Sequence, residues 1–415
     1  MHQFKEPSYI KQYHWKTLLI KMSGKEFNEE TFANIEQLLR NGVKVILAYG
    51  WWITIDLHWN EYSKQLRVKV EGVWVTSQDV LEYGVMPAYE ELYFLLKSRY
   101  LVAIDKKILA PEDIKCDYRD IWKYGEVWKI KEITGVDFNR AINLIWFVWN
   151  ANGHYVNINA DEIVTYMVKH FSDKLNEVLF LSDQPGLLNK KWELVSVILK
   201  SNIENILSGI DPHITVDGGM VKKLEEIQLI LNRVPKVVLT MWKGLYDEIN
   251  DWRGKGTMFI DDSQLSHWSL KDRLMFYEIF NQYVHEKIFR SRSWEELENI
   301  MKSHTVVSVK NTILWWFSLT EVWNHHMLVE CMWSSYIGTG LGWMILDTAE
   351  NIAYNKWKKL FLITSNEKAG ASFEKNGFRK RGTVWECVVR RNCWEIQEYF
   401  EWYPLKRSNS FVYMK

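Results

Sequence analysis

Residues 334–342 read SSYIGTGLG, with glycine at 338, 340 and 342. The segment lies between an apolar strand-like run, LVECM at 328–332, and a helical pattern in which Ile345, Ala349 and Ile352 share one face. Glycine lets backbone N–H groups approach an anion closely, and a helix N-terminus adds a favourable dipole. Gly338, Thr339, Gly340, Leu341 and Gly342 therefore predict a pyrophosphate cradle. Just upstream stand two titratable candidates for a general base, Glu330 first and His326 second. Taken singly, each is as readily a surface carboxylate or a solvated turn histidine, and Cys331 is better read as a small buried residue than as a nucleophile.

The chain of 415 residues is long enough for two or three domains. Lys+Arg and Asp+Glu are both 52, so no net field draws the protein to nucleic acid or to an anionic membrane. The basic clusters FRKRG (378–382) and Arg390-Arg391 are too small to change that expectation. No apolar run approaches the roughly 18 residues that span a bilayer, and the N-terminus MHQFKEPSY lacks the apolar core of a signal peptide; both predict a cytoplasmic protein. The four cysteines, Cys116, Cys331, Cys387 and Cys393, make no CxxC pair, which argues against structural zinc and predicts reduced thiols.

Short apolar runs alternate with amphipathic stretches over the first two thirds. KTLLIKMS (16–23), VKVILAYG (43–50), VLFLS (178–182) and KVVLT (236–240) read as strands. Between them come a helix capped at Asn28, with Phe32, Ile35 and Leu39 on its apolar face, and another from Met220 bearing Val221, Leu224, Ile227 and Leu231. This alternation predicts a mainly parallel sheet sandwiched by helices, with ligands at the carboxyl ends of the strands. After RGKGT (253–257) the texture changes. Ser293 and Glu296 form a capping box, HTVVSVKNTILWWFSL reads as a hairpin turning at Lys310-Asn311, and KLFLIT (359–364) precedes a last helix ended by Asn376-Gly377. The α/β chain is thus expected to comprise two domains, 1–258 and 259–415, the second mixed α/β.

The segment LFLITSNEKAGASFEKNGF resembles the GNAT superfamily of acyl-CoA N-acetyltransferases: Asn366, Ala369, Phe373 and Gly377-Phe378 stand in the spacing of the family's N-x-x-A-x-x-x-Y/F…G-F. The resemblance covers roughly 260–415 and implies acetyl-CoA as cosubstrate, held by the 338–342 loop and Asn366. Ile337 replaces the Arg or Gln that usually opens this loop, and Phe373 replaces a tyrosine that protonates the leaving thiolate in many members.

Residues 1–258 resemble the amino-acid kinase family, in particular the acetylglutamate kinases and the kinase-like half of the acetylglutamate synthases. KMSG (21–24), YGWW (49–52), VNINAD (156–161), SDQPGL (182–187) and DGGMVKKL (217–224) occur in family order. The resemblance implies that Lys21 and Lys223 neutralise a transferring phosphoryl group, that Asp161 orients them, and that Asn157 holds an acetylamino group. It also places Gly24, Gly50 and Asp183 at a site for ATP with magnesium. One departure is Trp74, in GVWVT, where the family has an arginine for a substrate carboxylate.

Three further features resemble the synthases: the opening EPSYIKQYHWKTLLIK, RSWEEL (292–297) and YPLKRSNS (403–410). They make Arg292 and Arg407 candidates for gripping substrate carboxylates. The implied activity is acetyl transfer to the α-amine of L-glutamate, the entry step of arginine biosynthesis. Acetylglutamate kinase or bifunctional synthase and kinase activity, acting on N-acetylglutamate, is the alternative. An arginine-sensing module with L-arginine as effector is a second alternative, and the family also implies homo-oligomers.

Tryptophan, at 23, outnumbers glycine, at 21. Against the kinase motifs Trp15, Trp51, Trp52, Trp146, Trp149 and Trp252 fall at or near glycine positions, and drift does not repeatedly choose the bulkiest replacement. The pattern predicts a gene in which UGA encodes glycine, translated here as tryptophan. The rival is a divergent protein whose phosphate site is plugged.

Overall fold

Leu18, Leu19 and Ile20 are fully buried in the first strand, β1 (Thr17–Met22), as an apolar run covered on both faces requires. The computed structural model describes residues 8–50, 52–70, 73–118, 123, 128–151, 154–250, 254–264, 266–268, 273–285, 291–309, 312–322, 325–334, 341–364, 367–384, 386–387 and 410–415. Two units result, Met1–Gln264 and Leu265–Lys415. The strand Thr257–Ile260, across which the sequence placed the boundary, belongs to the sheet of the first unit.

After β1 the first unit continues with α1 (Glu29–Arg40), β2 (Lys44–Tyr49), α2 (Trp52–Ser63), β3 (Lys69–Val70), β4 (Val73–Trp74), α3 (Met86–Ser98), β5 (Lys106–Ile108), β6 (Ile114–Tyr118) and β7 (Trp128–Ile133). Then come β8 (Ile142–Ile145), β9 (Val148–Ala151), β10 (His154–Asn157), α4 (Ala160–Phe171), β11 (Glu177–Ser182), β12 (Val197–Leu199), α5 (Lys200–Leu207), α6 (Gly218–Ile230), β13 (Lys236–Met241), α7 (Leu245–Asn250) and β14 (Thr257–Ile260). Eight strands form one sheet in the order β12-β14-β13-β11-β1-β2-β8-β5, parallel except between β13 and β14. The Asn28 carboxamide caps α1 by accepting the Thr31 N–H at 3.0 Å, and Phe32, Ile35 and Leu39 face the core as their spacing predicts.

The amino end of this sheet is tied by a buried polar trio. Lys236 Nζ lies 2.8 Å from Glu177 Oε2, and the Tyr13 hydroxyl stands 3.2 Å from both groups. Glu177 and Lys236 begin neighbouring strands, so Tyr13 pins the N-terminal segment to the sheet. Tyr13→Phe leaves two buried charged groups short of a partner and is expected to lower stability by about 1.5–3 kcal/mol in chemical denaturation.

The second unit runs β15 (Ser266–Trp268), α8 (Arg273–His285), α9 (Trp294–Ser303), β16 (His304–Val309), β17 (Thr312–Val322), β18 (His326–Ser334), α10 (Leu341–Asn355), β19 (Lys359–Thr364), α11 (Glu367–Lys375), β20 (Arg379–Thr383) and β21 (Phe411–Met414). Among the described residues its sheet of seven strands takes the order β15-β16-β17-β18-β19-β21-β20, with β18 and β19 parallel. The capping box at α9 is built as read: Ser293 N–H donates to Glu296 Oε2 at 2.8 Å, and Glu296 N–H donates to Ser293 Oγ at 3.2 Å. Cys387, fully buried with Phe361, Val412 and Met414, is disulfide-bonded, which corrects the expectation of a reduced thiol there, whereas Cys116 is free.

Candidate functional site

In the first unit, the residues that follow the carboxyl ends of β1, β2 and β10 converge with the N-termini of α4 and α6 on a cavity of about 400 Å³. Lys21, Gly50, Asn157, Asp161 and Lys223, all expected from the sequence, line it together. Lys21 comes from the end of β1, Asp161 from the first turn of α4 behind the Asn159 cap, and Lys223 from α6. Lys21 Nζ is 2.8 Å from Asp161 Oδ1. Burial works against the Lys21 ammonium, but the charge and hydrogen bond of Asp161 outweigh it and hold its pKa above the ordinary lysine value. Lys223 moves the other way, because burial and the like charge of Lys21 both push it down. Burial alone would raise Asp161; the two lysines more than offset it and keep this carboxyl below its usual range. Glu226 adds a second buried carboxyl beside both lysines, and burial together with the Asp161 charge pushes its pKa well above the ordinary value. The two cations thus face one carboxylate that stays ionised and one that resists ionising, an arrangement that accepts an added anion.

Gly50 allows β2 and α4 to touch: a Cβ there would meet the Ala160 Cβ at 2.9 Å. Gly24 instead packs against Ile53, and Asp183 lies exposed in the loop after β11 and is not part of the cavity lining.

Around Trp74 the cavity is lined by cations from other positions. The sequence showed a lost cation there, yet the cavity gains two from elsewhere. The β3–β4 register sets Lys69 opposite Trp74, with its Nζ 4.3 Å from the ring centroid, and the Arg67 guanidinium carbon lies 4.5 Å from the same centroid. Arg67 Nε donates to Asp56 Oδ1 at 2.5 Å, and Nη2 donates to the Trp52 carbonyl at 3.1 Å. No linear signal marked Arg67, because only the hairpin fold brings it over Trp74. The Trp52 indole, stacked near Trp74 at 6.5 Å, lines the same cavity. Bare backbone donors are what a triphosphate needs, and an indole at the start of α2 takes up that space. The residues fit an anion better than a full nucleotide, so no step is assigned to ATP or magnesium.

In the second unit the pairing register builds a fork. β18 pairs with β19 from His326–Lys359 to Val329–Leu362 and then runs on without β19 to Ser334, while β17 stays paired with it as far as Ser334. A register shift between Trp316 and Ser318 marks a bulge in β17–β18 at this level. Glu330 is the first residue beyond the fork, and the backbone of 330–334 presents groups that β19 does not use. α10 starts at Leu341.

His326 sits at the opposite end of β18, 7% exposed and about 25 Å from Ser334 at the rise of an extended strand. It is not brought to the fork. Leu341 and Gly342 open α10, whereas Gly338, Thr339, Gly340, Asn366 and Arg407 lie outside the described residues. Arg292 is engaged within its own helix start, its Nη1 3.6 Å from Glu296 Oε1.

The chain matches no family model. It is 26% identical over 275 residues to the acetylglutamate kinase of Brachyspira hyodysenteriae, covering 61% of this chain and 94% of that protein. With the acetylglutamate kinase of Aliarcobacter butzleri it shares 27% identity over 249 residues, 55% of this chain and 79% of the relative. A crystal structure of N-acetylglutamate synthase from Neisseria gonorrhoeae, complexed with coenzyme A and L-arginine, superimposes with a TM-score of 0.62 at 15% identity over 98% of this chain and 96% of that one. The same enzyme complexed with coenzyme A and N-acetylglutamate gives a TM-score of 0.55. The chain has the architecture of these synthases: a unit of amino-acid kinase fold followed by a unit of GNAT fold.

Proposed function

We propose that the chain transfers the acetyl group of acetyl-CoA to the α-amine of L-glutamate, in the second unit. The observation that carries this is the likeness in fold to N-acetylglutamate synthase over 98% of the chain, both units in the same order. The forked strand, and the glycine-rich segment that follows it in sequence, are the parts we assign the local chemistry to. In the reaction the α-ammonium loses a proton, the nitrogen attacks the thioester carbonyl carbon, the C–N bond forms and the C–S bond breaks. The departing thiolate takes up a proton. Glu330, first beyond the fork, is assigned as the group that receives the amine proton directly or through water, and the backbone edge beside it that β19 leaves uncovered is assigned to polarise the carbonyl. Arg292 and Arg407 are assigned to the substrate carboxylates.

The first unit serves as a binding and regulatory half. L-arginine, present in the Neisseria complex, is the effector we assign to it. Homo-oligomers in the cytoplasm are part of the same proposal. Among the described residues no helix is long and apolar enough to cross a membrane. A second reading, phosphorylation of N-acetylglutamate, is favoured specifically by the Lys21–Asp161–Lys223 cluster.

Acetyl-CoA turnover across glutamate, other amino acids and polyamines tests the proposal. Glutamate is expected to exceed every other amine by at least tenfold in kcat/KM, about 1.4 kcal/mol of discrimination. A polyamine or protein amine as the best acceptor would overturn it.

A further inference from the structure

Five non-glycine residues among those described adopt a positive φ: Trp15 at 64°, Lys64 at 54°, Leu101 at 54°, Trp192 at 64° and Trp357 at 59°. Three of the five are tryptophan, although tryptophan is 23 of 415 residues. Asparagine and aspartate, the residues that usually occupy this region after glycine, are not among them. A bulky aromatic side chain is among the poorest occupants of the left-handed region.

The three positions belong to three different motifs, and each is a place where the backbone asks for glycine. Trp357 follows α10. Its N–H donates to the Tyr354 carbonyl at 2.9 Å, and the Lys358 N–H donates to the Ala353 carbonyl at 2.9 Å. This pair of bonds is the Schellman ending of a helix, whose left-handed residue is most often glycine. Trp192 closes the three-residue loop Lys190-Lys191-Trp192. The Asn189 N–H donates to the Glu193 carbonyl at 2.9 Å, and the Trp192 N–H donates to the Asn189 carbonyl at 2.9 Å. Leu188 and Leu194 bridge antiparallel just outside it. In such loops a turn is followed by one left-handed residue, commonly glycine. Trp15 ends the N-terminal helical turn Ser8–Tyr13, where the Lys16 N–H donates to the Tyr13 carbonyl at 2.9 Å, just before β1.

Packing does not account for indoles at these places. Trp15, Trp192 and Trp357 are 69%, 83% and 88% exposed. Elsewhere Trp59, Trp146 and Trp149 are buried with no partner for the indole N–H among the described residues, a defect that a residue selected for the core would avoid.

We infer that the natural polypeptide carries glycine at positions 15, 192 and 357, from UGA codons read as glycine, and that the tryptophans here arise from reading those codons as tryptophan. Trp192 and Trp357 were not marked by any resemblance; the backbone alone assigns them. The same substitution at Trp52 would remove the indole that lines the anion cavity of the first unit.

The test is the coding DNA, together with peptide mass spectrometry of the protein isolated from its natural host. UGA at these three positions, with peptide masses lighter by the difference between tryptophan and glycine, is the expected result. UGG codons, or tryptophan masses in the native peptides, would overturn the inference. Each measurement reads the identity of the residue directly, so the outcome does not depend on whether any variant folds or on the activity of the second unit.

Discussion

Replacing Trp15, Trp192 and Trp357 together by glycine is expected to stabilise the protein. An L-residue held in the left-handed region costs about 1–2 kcal/mol relative to one free of the Cβ clash. The three sites lie in separate elements, so their effects should add, to about 3–6 kcal/mol for the triple variant. The indoles are mostly exposed, and little burial is lost in return. What opposes the gain is contact around Trp15, whose ring lies edge-on to His14 at 4.8 Å with Lys44 Nζ 5.6 Å from its centroid. Trp15→Gly should therefore gain least and Trp357→Gly most. For units of this size each kcal/mol moves a thermal midpoint by roughly 2–4 °C. A control sharpens the comparison: Trp294 is 63% exposed too, but it begins α9 and stacks on Tyr277 at 4.4 Å. Trp294→Gly should lower stability by about 1 kcal/mol. If all four variants lost stability alike, the strain assigned to the left-handed tryptophans would be absent.

The second large effect is on catalysis. Glu330→Gln keeps the size and the hydrogen-bonding capacity of the side chain and removes the base. General-base assistance is worth about 10²–10⁴ in rate, so kcat for acetyl transfer to glutamate should fall by at least ~100-fold while the KM for acetyl-CoA stays within a few fold. His326→Gln is the matched comparison. His326 lies buried at the far end of the strand, so its loss should act on stability and leave the pH dependence of kcat in place. The reverse outcome, with kcat collapsing for His326→Gln alone, would move the base to the other end of β18.

Much of the architecture was legible because the relevant physics is local. Runs such as KVVLT and VLFLS admit no solvent-facing side and could only be interior strands, which β13 and β11 are. Asn28, and Ser293 with Glu296, announce helix starts by side-chain chemistry acting within three residues. The cluster of Lys21, Asn157, Asp161 and Lys223 was reached through the order of its motifs, and the parallel sheet gathers them at one end.

What was not legible depends on contacts between distant parts of the chain. Arg67 and Lys69 reach the cavity through a hairpin of two-residue strands, too short to leave a periodic pattern. Tyr13, Glu177 and Lys236 meet across as many as 223 positions. That His326 and the glycine segment lie at opposite ends of β18 was not visible from their closeness in sequence, because an extended strand carries its two ends far apart. The turns at Trp192 and Trp357 were invisible for another reason: tryptophan carries no turn signal, and glycine there would have carried a strong one.

Titration of coenzyme A into the full-length chain in a calorimeter, alongside Gly340→Val, tests the central claim most directly. On the proposal that residues 338–342 cradle the diphosphate, a branched side chain at 340 obstructs the approach of backbone N–H groups to it. One molecule of coenzyme taken up per chain by the parent protein, with binding at least tenfold weaker in the variant, is the predicted result. No uptake by the parent, or equal binding by both proteins, would contradict it.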